Sequence, residues 1–95
     1  MKLTLEWMSQ LRDAAGTAQQ VLECPDTCHL TEALELALAE LPTIHSDPLR
    51  SMVMPNGHRH SAILVAVDGV QIACDADPIL TNGATILLSS PIAGG

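Results

Sequence analysis

The sequence predicts an α+β domain, in which a sheet of four to five strands packs on one main helix. Residues 2–8 alternate apolar and polar side chains, which is typical of a half-buried strand. Residues 30–41 place Leu and Ala at helical spacing along one stripe, and this predicts the main helix. Residues 62–67 form a continuous apolar run, which predicts a central strand buried on both faces.

Weaker patterns predict the elements around the first strand and the main helix. A helix of about two turns is expected over residues 9–16, because Gly16 suits a left-handed cap. Residues 18–24 are a weaker strand candidate. The main helix is expected to be capped by Asp26, Thr27 or the residues just after, without a clean capping box, and to end at Pro42.

The segment that follows the main helix is predicted to be irregular. Residues 42–61 contain the turn signals Ser46-Asp47-Pro48 and Pro55-Asn56-Gly57, and only a short helical turn is expected, around residues 49–54. A loop of this length is unusual in a compact domain. We therefore expect it to be mobile or used for contact.

The last third of the chain predicts a hairpin and a final strand. Asp68-Gly69 is a hairpin turn signal, with residues 70–73 as the returning strand. Residues 84–90 follow a second turn and are predicted to form the last strand. Pro91 marks the exit from the sheet, because proline has no N–H to donate to a neighbouring strand.

Composition excludes several classes of function. The chain has 95 residues, enough for one domain, with a net charge of −7 and only four basic side chains. Binding to nucleic acid or to an anionic membrane surface needs clustered Lys and Arg, so neither is expected. The N-terminus does not look like a signal peptide, and three cysteines suggest no disulfide framework. These features predict a cytoplasmic protein.

The last five residues carry the clearest functional signal. We expect residues 1–90 to form the domain and residues 91–95, Pro-Ile-Ala-Gly-Gly, to form a flexible tail that reaches on the order of 17 Å. Glycine has no side chain, so such an end fits a narrow channel and leaves the Gly95 carboxylate unshielded. Activation as an acyl-adenylate would open Gly95 to a sulfur nucleophile and give a thiocarboxylate. The alternative is an ordinary frayed terminus.

Several segments resemble one known family. They are Leu-Arg-Asp-Ala-Ala-Gly at residues 11–16, the Ala/Leu-rich helix at 30–41, Val-Ala-Val-Asp-Gly at 65–69, Asn-Gly-Ala-Thr-Ile-Leu-Leu at 82–88, and Ser-Pro-Ile-Ala-Gly-Gly at 90–95. Together they resemble the small subunit of molybdopterin synthase. That family consists of ubiquitin-like β-grasp sulfur carriers with a mixed sheet.

This resemblance implies a set of partners and roles. An E1-like enzyme would adenylate Gly95 with ATP and magnesium, and this chain would bind no cofactor and no metal itself. The tail residues Pro91, Ile92, Ala93 and Gly94 would enter the partner's channel. Sulfur would then pass to a pyranopterin precursor in the large subunit of molybdopterin synthase, within a heterotetramer. This chain would be the non-catalytic small subunit, with Met8 as a candidate partner contact. Arg12 is a second candidate contact, and the alternative is an ordinary surface cation on the first short helix.

Some residues depart from the family pattern and leave other pathways open. Met8 stands where the family often has Phe, Ala84 replaces a usual acidic residue, and residues 42–61 are long and rich in His. Sulfur carriers for thiamine, cysteine or a secondary metabolite have similar bodies. A ubiquitin-like protein modifier would use the same tail. Lys2 is the only lysine, so chains linked through internal lysines are almost excluded.

The remaining cysteine and histidine residues are expected to have structural or surface roles rather than catalytic or metal-binding ones. The spacing of Cys24, Cys28 and His29 is a poor zinc pattern, and no second Cys pair follows. His58-Arg59-His60 is expected to lie in a solvated loop. We expect Cys74 to fill a small apolar space rather than act as a nucleophile.

Overall fold

The computed structural model describes residues 1–90 and confirms the predicted α+β class. The predicted tail, residues 91–95, lies outside the described residues, so the division of the chain at residue 90 stays a prediction. In chain order the elements are β1 Lys2–Trp7, α1 Gln10–Ala15, β2 Gln19–Glu23, α2 Leu30–Glu40, α3 Thr43–Val53, β3 Leu64–Val67, β4 Val70–Ile72 and β5 Thr85–Ser89.

The strands form one mixed five-stranded sheet in the order β2-β1-β5-β3-β4. The central pair, β1 and β5, is parallel, with Leu5 opposite Ile86 and Trp7 opposite Leu88. The remaining neighbours pair antiparallel. The predicted sheet of four to five strands is confirmed, with all five strands present.

The core lies between the inner face of the sheet and the helices. Alternate residues of β1 are fully or almost fully buried, as the sequence pattern predicted: Leu3, Leu5 and Trp7. Trp7 Nε1 donates to Gln20 Oε1 at 2.7 Å, and Gln20 Nε2 donates to the carbonyl of Ala37 at 3.0 Å. This chain of hydrogen bonds ties β1, β2 and α2 together inside an otherwise aliphatic core.

The start of α2 is capped by residues that the sequence pattern did not single out. The Glu32 carboxylate accepts from the backbone N–H of His29 at 3.1 Å, which is one half of a capping box. The Asp77 carboxylate accepts from the N–H of Thr31 at 2.8 Å. Hydrogen bonds from His29, the backbone N–H first, lower the pKa of Glu32. The expectation of no capping box is therefore corrected, and one cap comes from a distant loop.

The prediction of a long irregular segment at residues 42–61 is wrong. Residues 43–53 form α3, which has 11 residues like α2 and packs against α1 and α2. Leu49 and Val53 are fully buried one helical turn apart, and this packing stabilises the helix although Pro48 lies inside it. The main helix α2 therefore has a second helix of equal length beside it.

The expectation that the run 62–67 is buried on both faces is also wrong. Val65 points into the core and is 1% exposed, whereas Leu64 is 50% exposed. The helices cover only one face of the sheet, so an apolar run in β3 places every second side chain in solvent.

The hairpin and the final strand are confirmed. Asp68 and Gly69 have φ values of 49° and 83°, as a tight hairpin turn requires. The Asp68 carboxylate accepts from the N–H of Thr85 at 2.9 Å, which fixes this hairpin against β5. Ile86 and Leu88 share the buried face, as predicted. Among residues 1–90, no helix is long and apolar enough to cross a membrane.

We predict that Gly16→Ala destabilises the domain more than Gly57→Ala does. Both glycines have positive φ, at 74° and 77°, which costs a residue with a Cβ roughly 1–2 kcal/mol. A Cβ on Gly16 would also lie 2.6–2.9 Å from the His45 ring, whereas one on Gly57 meets nothing within 4 Å. The His45 ring is held there by the carbonyl of Ala14, at 3.2 Å from Nδ1.

Urea unfolding measures this difference as a free energy. Displacing the His45 ring should add about 1 kcal/mol, the worth of one hydrogen bond and its packing. In a His45→Ala background the costs of the two glycine substitutions should become equal. Equal costs in the natural background would contradict the proposed contact.

Candidate functional site: the sheet edge below the tail

The parallel pairing of β1 and β5 brings two functional segments to one edge of the sheet. Both strands run in the same direction, so the residues that follow them emerge side by side. Met8 follows β1, and its N–H donates to the carbonyl of Leu88 at 2.9 Å. Ser89, the last residue of β5, and Ser90, which follows it, immediately precede the predicted tail, and we call these two residues the tail root. Met8 therefore lies directly beside the tail root.

A sharp turn after β1 places Arg12 at the same edge. Ser9 has a φ of 55°, unusual for a residue other than glycine, and reverses the chain into α1. The N–H of Leu11 donates to the carbonyl of Met8 at 3.1 Å, and Leu11 is fully buried under the sheet. Arg12, the next residue, is exposed. Met8 is 42% exposed, so the edge presents one apolar and one cationic side chain.

Arg12 differs from the other cationic side chains of residues 1–90. Lys2 lies 3.9 Å from the Glu23 carboxylate, and Arg50 lies 2.9 Å from that of Glu35. Arg59 donates to the carbonyls of Ala73 and Ala76 at 2.6 and 3.0 Å. Within the described part of the chain Arg12 makes no such ion pair or side-chain hydrogen bond, so its guanidinium is available to a partner.

The outer face of the sheet adjoins this edge and carries apolar side chains. Leu64 lies opposite Ser89, and Ala66 lies opposite Leu87. These four residues line a shallow concavity of about 300 Å³. This surface was not predicted, because the run 62–67 was expected to be buried on both faces. The sequence signal that one face is open is the polar pair Thr85 and Ser89, which lie on the same side of β5 as Leu87.

Ser90 has an unusual environment at the tail root. It is the only polar or charged residue classed as buried among residues 1–90, with 7% exposure. Its hydroxyl has no hydrogen-bond partner in the described residues. Its carbonyl accepts from the Ser89 hydroxyl at 3.2 Å. Because Ser90 is buried, the chain packs against the body of the domain up to this residue.

The remaining candidate residues lie elsewhere or outside the described part. Pro91, Ile92, Ala93, Gly94 and Gly95 are not described, and their roles stay predictions. Cys74 is exposed, so its prediction as a buried filler is wrong. It lines a cavity of about 410 Å³ together with His58, Arg59, Asp75 and Asp77.

The histidine-rich segment serves the local structure of the loop before β3. The N–H of His60 donates to the carbonyl of Val53 at 2.7 Å, and His60 Nδ1 accepts from the N–H of Ala62 at 3.0 Å. Among residues 1–90, no group of three or more His, Cys, Asp or Glu side chains is arranged to hold a metal ion.

Comparison with known proteins was informative at the level of structure only. No protein-family model matches the chain, and no curated protein matches it by sequence. The crystal structure of the small archaeal modifier protein SAMP1 from Haloferax volcanii matches with a TM-score of 0.81 at 18% identity, over 100% of both chains. The solution structure of SAMP1 from Methanosarcina acetivorans gives 0.73 at 18% identity, over 99% of this chain and 96% of that one.

A third similar structure has a name that refers to molybdopterin, as does the family that the sequence resembles. A Pyrococcus furiosus protein, assigned as molybdopterin converting factor subunit 1, matches with a TM-score of 0.69 at 15% identity, over 97% of this chain and 99% of its own. Identities this low establish the fold alone. The predicted ubiquitin-like β-grasp fold is thereby confirmed: over 97–100% of its length the chain is similar to the structures of small archaeal modifier proteins and of this converting-factor subunit.

Proposed function

We propose that this protein is a sulfur carrier whose working group is the Gly95 carboxylate. One observation carries the proposal: the central strand β5 ends at the sheet edge beside Met8, directly before the sequence Pro-Ile-Ala-Gly-Gly. The sheet thus leads into a sequence whose last three residues, Ala93, Gly94 and Gly95, have small side chains or none. The proposal requires that Gly95 bears a free carboxylate, which an intact mass determines.

The chemistry uses the carboxylate as an acyl group. A carboxylate oxygen of Gly95 attacks the α-phosphorus of ATP on an E1-like partner, with magnesium, and pyrophosphate leaves. A partner's persulfide then attacks the acyl carbon and releases AMP. A second thiol cleaves the resulting sulfur–sulfur bond, so the thiocarboxylate stays on Gly95 and a disulfide stays on the partner. Both catalytic functions belong to the partner, and this chain supplies the acyl group.

The sheet edge supplies a docking surface for such partners. Arg12 offers a cation that has no ion pair among residues 1–90, on a chain whose net charge is −7, so its counterpart would be a carboxylate set in a largely basic surface. Met8 and the outer concavity around Leu64 offer apolar contacts. An enzyme that holds this edge would have its channel next to the tail root.

Within this class, the finer proposal is the small subunit of molybdopterin synthase. It is supported by the five matching sequence segments and by the likeness to the Pyrococcus furiosus subunit. The tail residues Pro91 to Gly95 would enter a large subunit in a heterotetramer. The thiocarboxylate would there donate sulfur to the molybdopterin precursor, in the cytoplasm.

A ubiquitin-like protein modifier is the second candidate. The full-length likeness to small archaeal modifier proteins supports it. The same adenylated Gly95 would then acylate a lysine of a target protein rather than accept sulfur. Sulfur carriers of the thiamine, cysteine or secondary-metabolite pathways would share the activation step and differ in the acceptor.

Intact mass spectrometry tests the shared and the separate steps. The pure protein is incubated with an E1-like enzyme, ATP, magnesium and a sulfur donor, and we expect exchange of one oxygen for sulfur at Gly95. Adding a large synthase subunit and the pyranopterin precursor should return the carboxylate and yield molybdopterin. Amide-linked conjugates of Gly95 in cell extracts, without sulfur exchange, would instead establish the modifier.

We predict that Arg12→Ala weakens the activating reaction through binding. Loss of one charge-assisted contact should raise the KM for this protein by about 3- to 10-fold, with kcat unchanged. Lys2→Ala is the matched control, because Lys2 is an exposed cation at the opposite end of β1. Steady-state pyrophosphate release measures both constants. An unchanged KM for the Arg12 variant would remove Arg12 from the docking surface.

A further inference from the structure

The exposed side of α2 carries an apolar concavity that the proposed carrier function does not use. Leu34 and Ala37 of this helix are fully buried in the core, whereas Leu36 is partly buried and Ala39 is exposed. Together with Pro25, which follows β2, Leu36 and Ala39 line a concavity of about 510 Å³. The helices cover one face of the sheet, so this concavity and the outer concavity lie on opposite sides of the domain.

A second concavity adjoins the first at Thr31, which lines both. The second concavity has a volume of about 410 Å³, and Cys74, Asp75 and Asp77 are among its lining residues. The N–H of Thr31 donates to the Asp77 carboxylate at 2.8 Å, and this hydrogen bond joins the start of α2 to the loop that forms the far wall. The two concavities therefore make one continuous depression, which we call the α2 groove.

The α2 groove has an excess of negative charge. Four carboxylate side chains line it: Glu32, Glu35, Asp75 and Asp77. Arg50 lies 2.9 Å from the Glu35 carboxylate and neutralises that charge. Arg59 is the one Lys or Arg among the groove residues of the described chain, and it donates to the backbone carbonyls of Ala73 and Ala76. Because the carboxylates outnumber these cations, a complementary occupant would carry positive charge.

We propose that the α2 groove binds a basic peptide segment of a second partner protein. One apolar side chain of the peptide packs between Pro25, Leu36 and Ala39, and its Lys or Arg side chains lie beside the carboxylates of both concavities. A small cation would leave the apolar concavity empty, whereas an extended segment reaches both parts of the groove. Because the groove and the outer concavity lie on opposite sides of the domain, binding here leaves the sheet edge accessible. This inference does not depend on the chemistry of Gly95.

Fluorescence anisotropy with a labelled peptide, Lys-Leu-Lys-Lys-Leu-Lys, tests the proposal on the full chain. We expect saturable binding with a Kd below about 1 mM at low salt, which weakens as salt is added. A peptide with both Leu replaced by Ser should bind roughly 10-fold more weakly, because it has no apolar side chain to bury. Equal binding of the Ser peptide, or of spermine, would overturn the proposal, because charge alone would then explain the affinity.

Two variants with the same change in net charge locate the peptide. Ala39→Lys places a cation and a long side chain in the apolar concavity and should weaken binding by about 10-fold or more. Val21→Lys is the matched control, because Val21 is exposed on β2 and lies on the face opposite to the buried Leu22. Its Kd should stay within about 2-fold of that of the natural protein. Equal weakening by both variants would contradict a specific groove.

Alkylation of Cys74 reports on the second concavity. Cys74 is exposed and lines the groove, whereas Cys24 and Cys28 are buried. Trypsin cleaves after Arg59, so residues 60–95 contain Cys74 and neither of the other cysteines. Saturating peptide should slow the reaction of this fragment with iodoacetamide. An unchanged rate at saturating peptide, or no saturable binding to the natural protein up to about 1 mM, would overturn the proposal.

Discussion

Deleting Gly95, or adding one residue after it, should abolish thiocarboxylate formation while the domain stays fully folded. The truncated chain retains a terminal carboxylate on Gly94, but that group lies one residue short of the partner's reacting centre. In the extended chain the Gly95 carbonyl is an amide, which cannot be adenylated. A displacement of one residue, about 3.3–3.6 Å, is large on the scale that catalysis tolerates.

Intact mass after incubation with the E1-like enzyme measures this loss. We expect a reduction of at least 100-fold for both variants, as for other misplaced reacting groups. Thermal unfolding provides the control, because the body through Ser90 should melt at the same temperature as the natural protein. Gly95→Ala distinguishes the effect of tail length from that of side-chain bulk. It keeps the carboxylate at the same position along the chain and adds one methyl group, which the partner's channel would have to accommodate. Normal loading of the truncated or extended chain would contradict the acyl-carrier mechanism.

The sequence contained enough information to predict most of the fold. Period-two alternation in β1 and helical spacing in α2 reflect burial on one side of each element, so both patterns were visible without the structure. The Gly16 cap and the Asp68-Gly69 turn were visible because each requires a positive φ. These features depend on neighbours in the chain.

Features that depend on distant parts of the chain were missed. Helix α3 is stabilised by packing of Leu49 and Val53 on α1 and α2, which outweighs the local effect of Pro48. The cap that Asp77 provides to Thr31 joins residues 46 positions apart. Leu64 was misassigned because an apolar run does not reveal how many faces of a sheet are covered.

The candidate site shows the same division. The role of Gly95 was predicted from residue types alone, because the proposed chemistry needs a terminal carboxylate on a chain end without side chains, as Gly94 and Gly95 provide. Met8 came only from the family resemblance, and Arg12 was considered only as a cation that could equally lie on an ordinary surface. Their position beside the tail root follows from the parallel pairing of β1 with β5, which no local pattern contains. Sequence therefore indicated the proposed reacting group, and topology supplied the surface that would present it.

Replacing Trp7 with Ala should destabilise the domain more than any surface substitution, by about 3–5 kcal/mol. Trp7 is 1% exposed and is the only aromatic residue in a core of aliphatic side chains. Its removal leaves a large cavity and leaves Gln20 Oε1 without the indole N–H at 2.7 Å. The total stability of a small domain is only about 5–15 kcal/mol, so a large fraction would be lost.

Urea unfolding followed by far-UV circular dichroism measures the effect, because the variant has no tryptophan fluorescence. Val21→Ala is the matched control: Val21 is 54% exposed on β2, and its truncation should change stability by less than about 0.5 kcal/mol. Trp7→Phe keeps most of the volume and loses the hydrogen bond, so its cost should lie between the two. A Trp7→Ala variant as stable as the Val21 control would contradict the prediction, because it would mean that the indole does not contribute to the packing of the core.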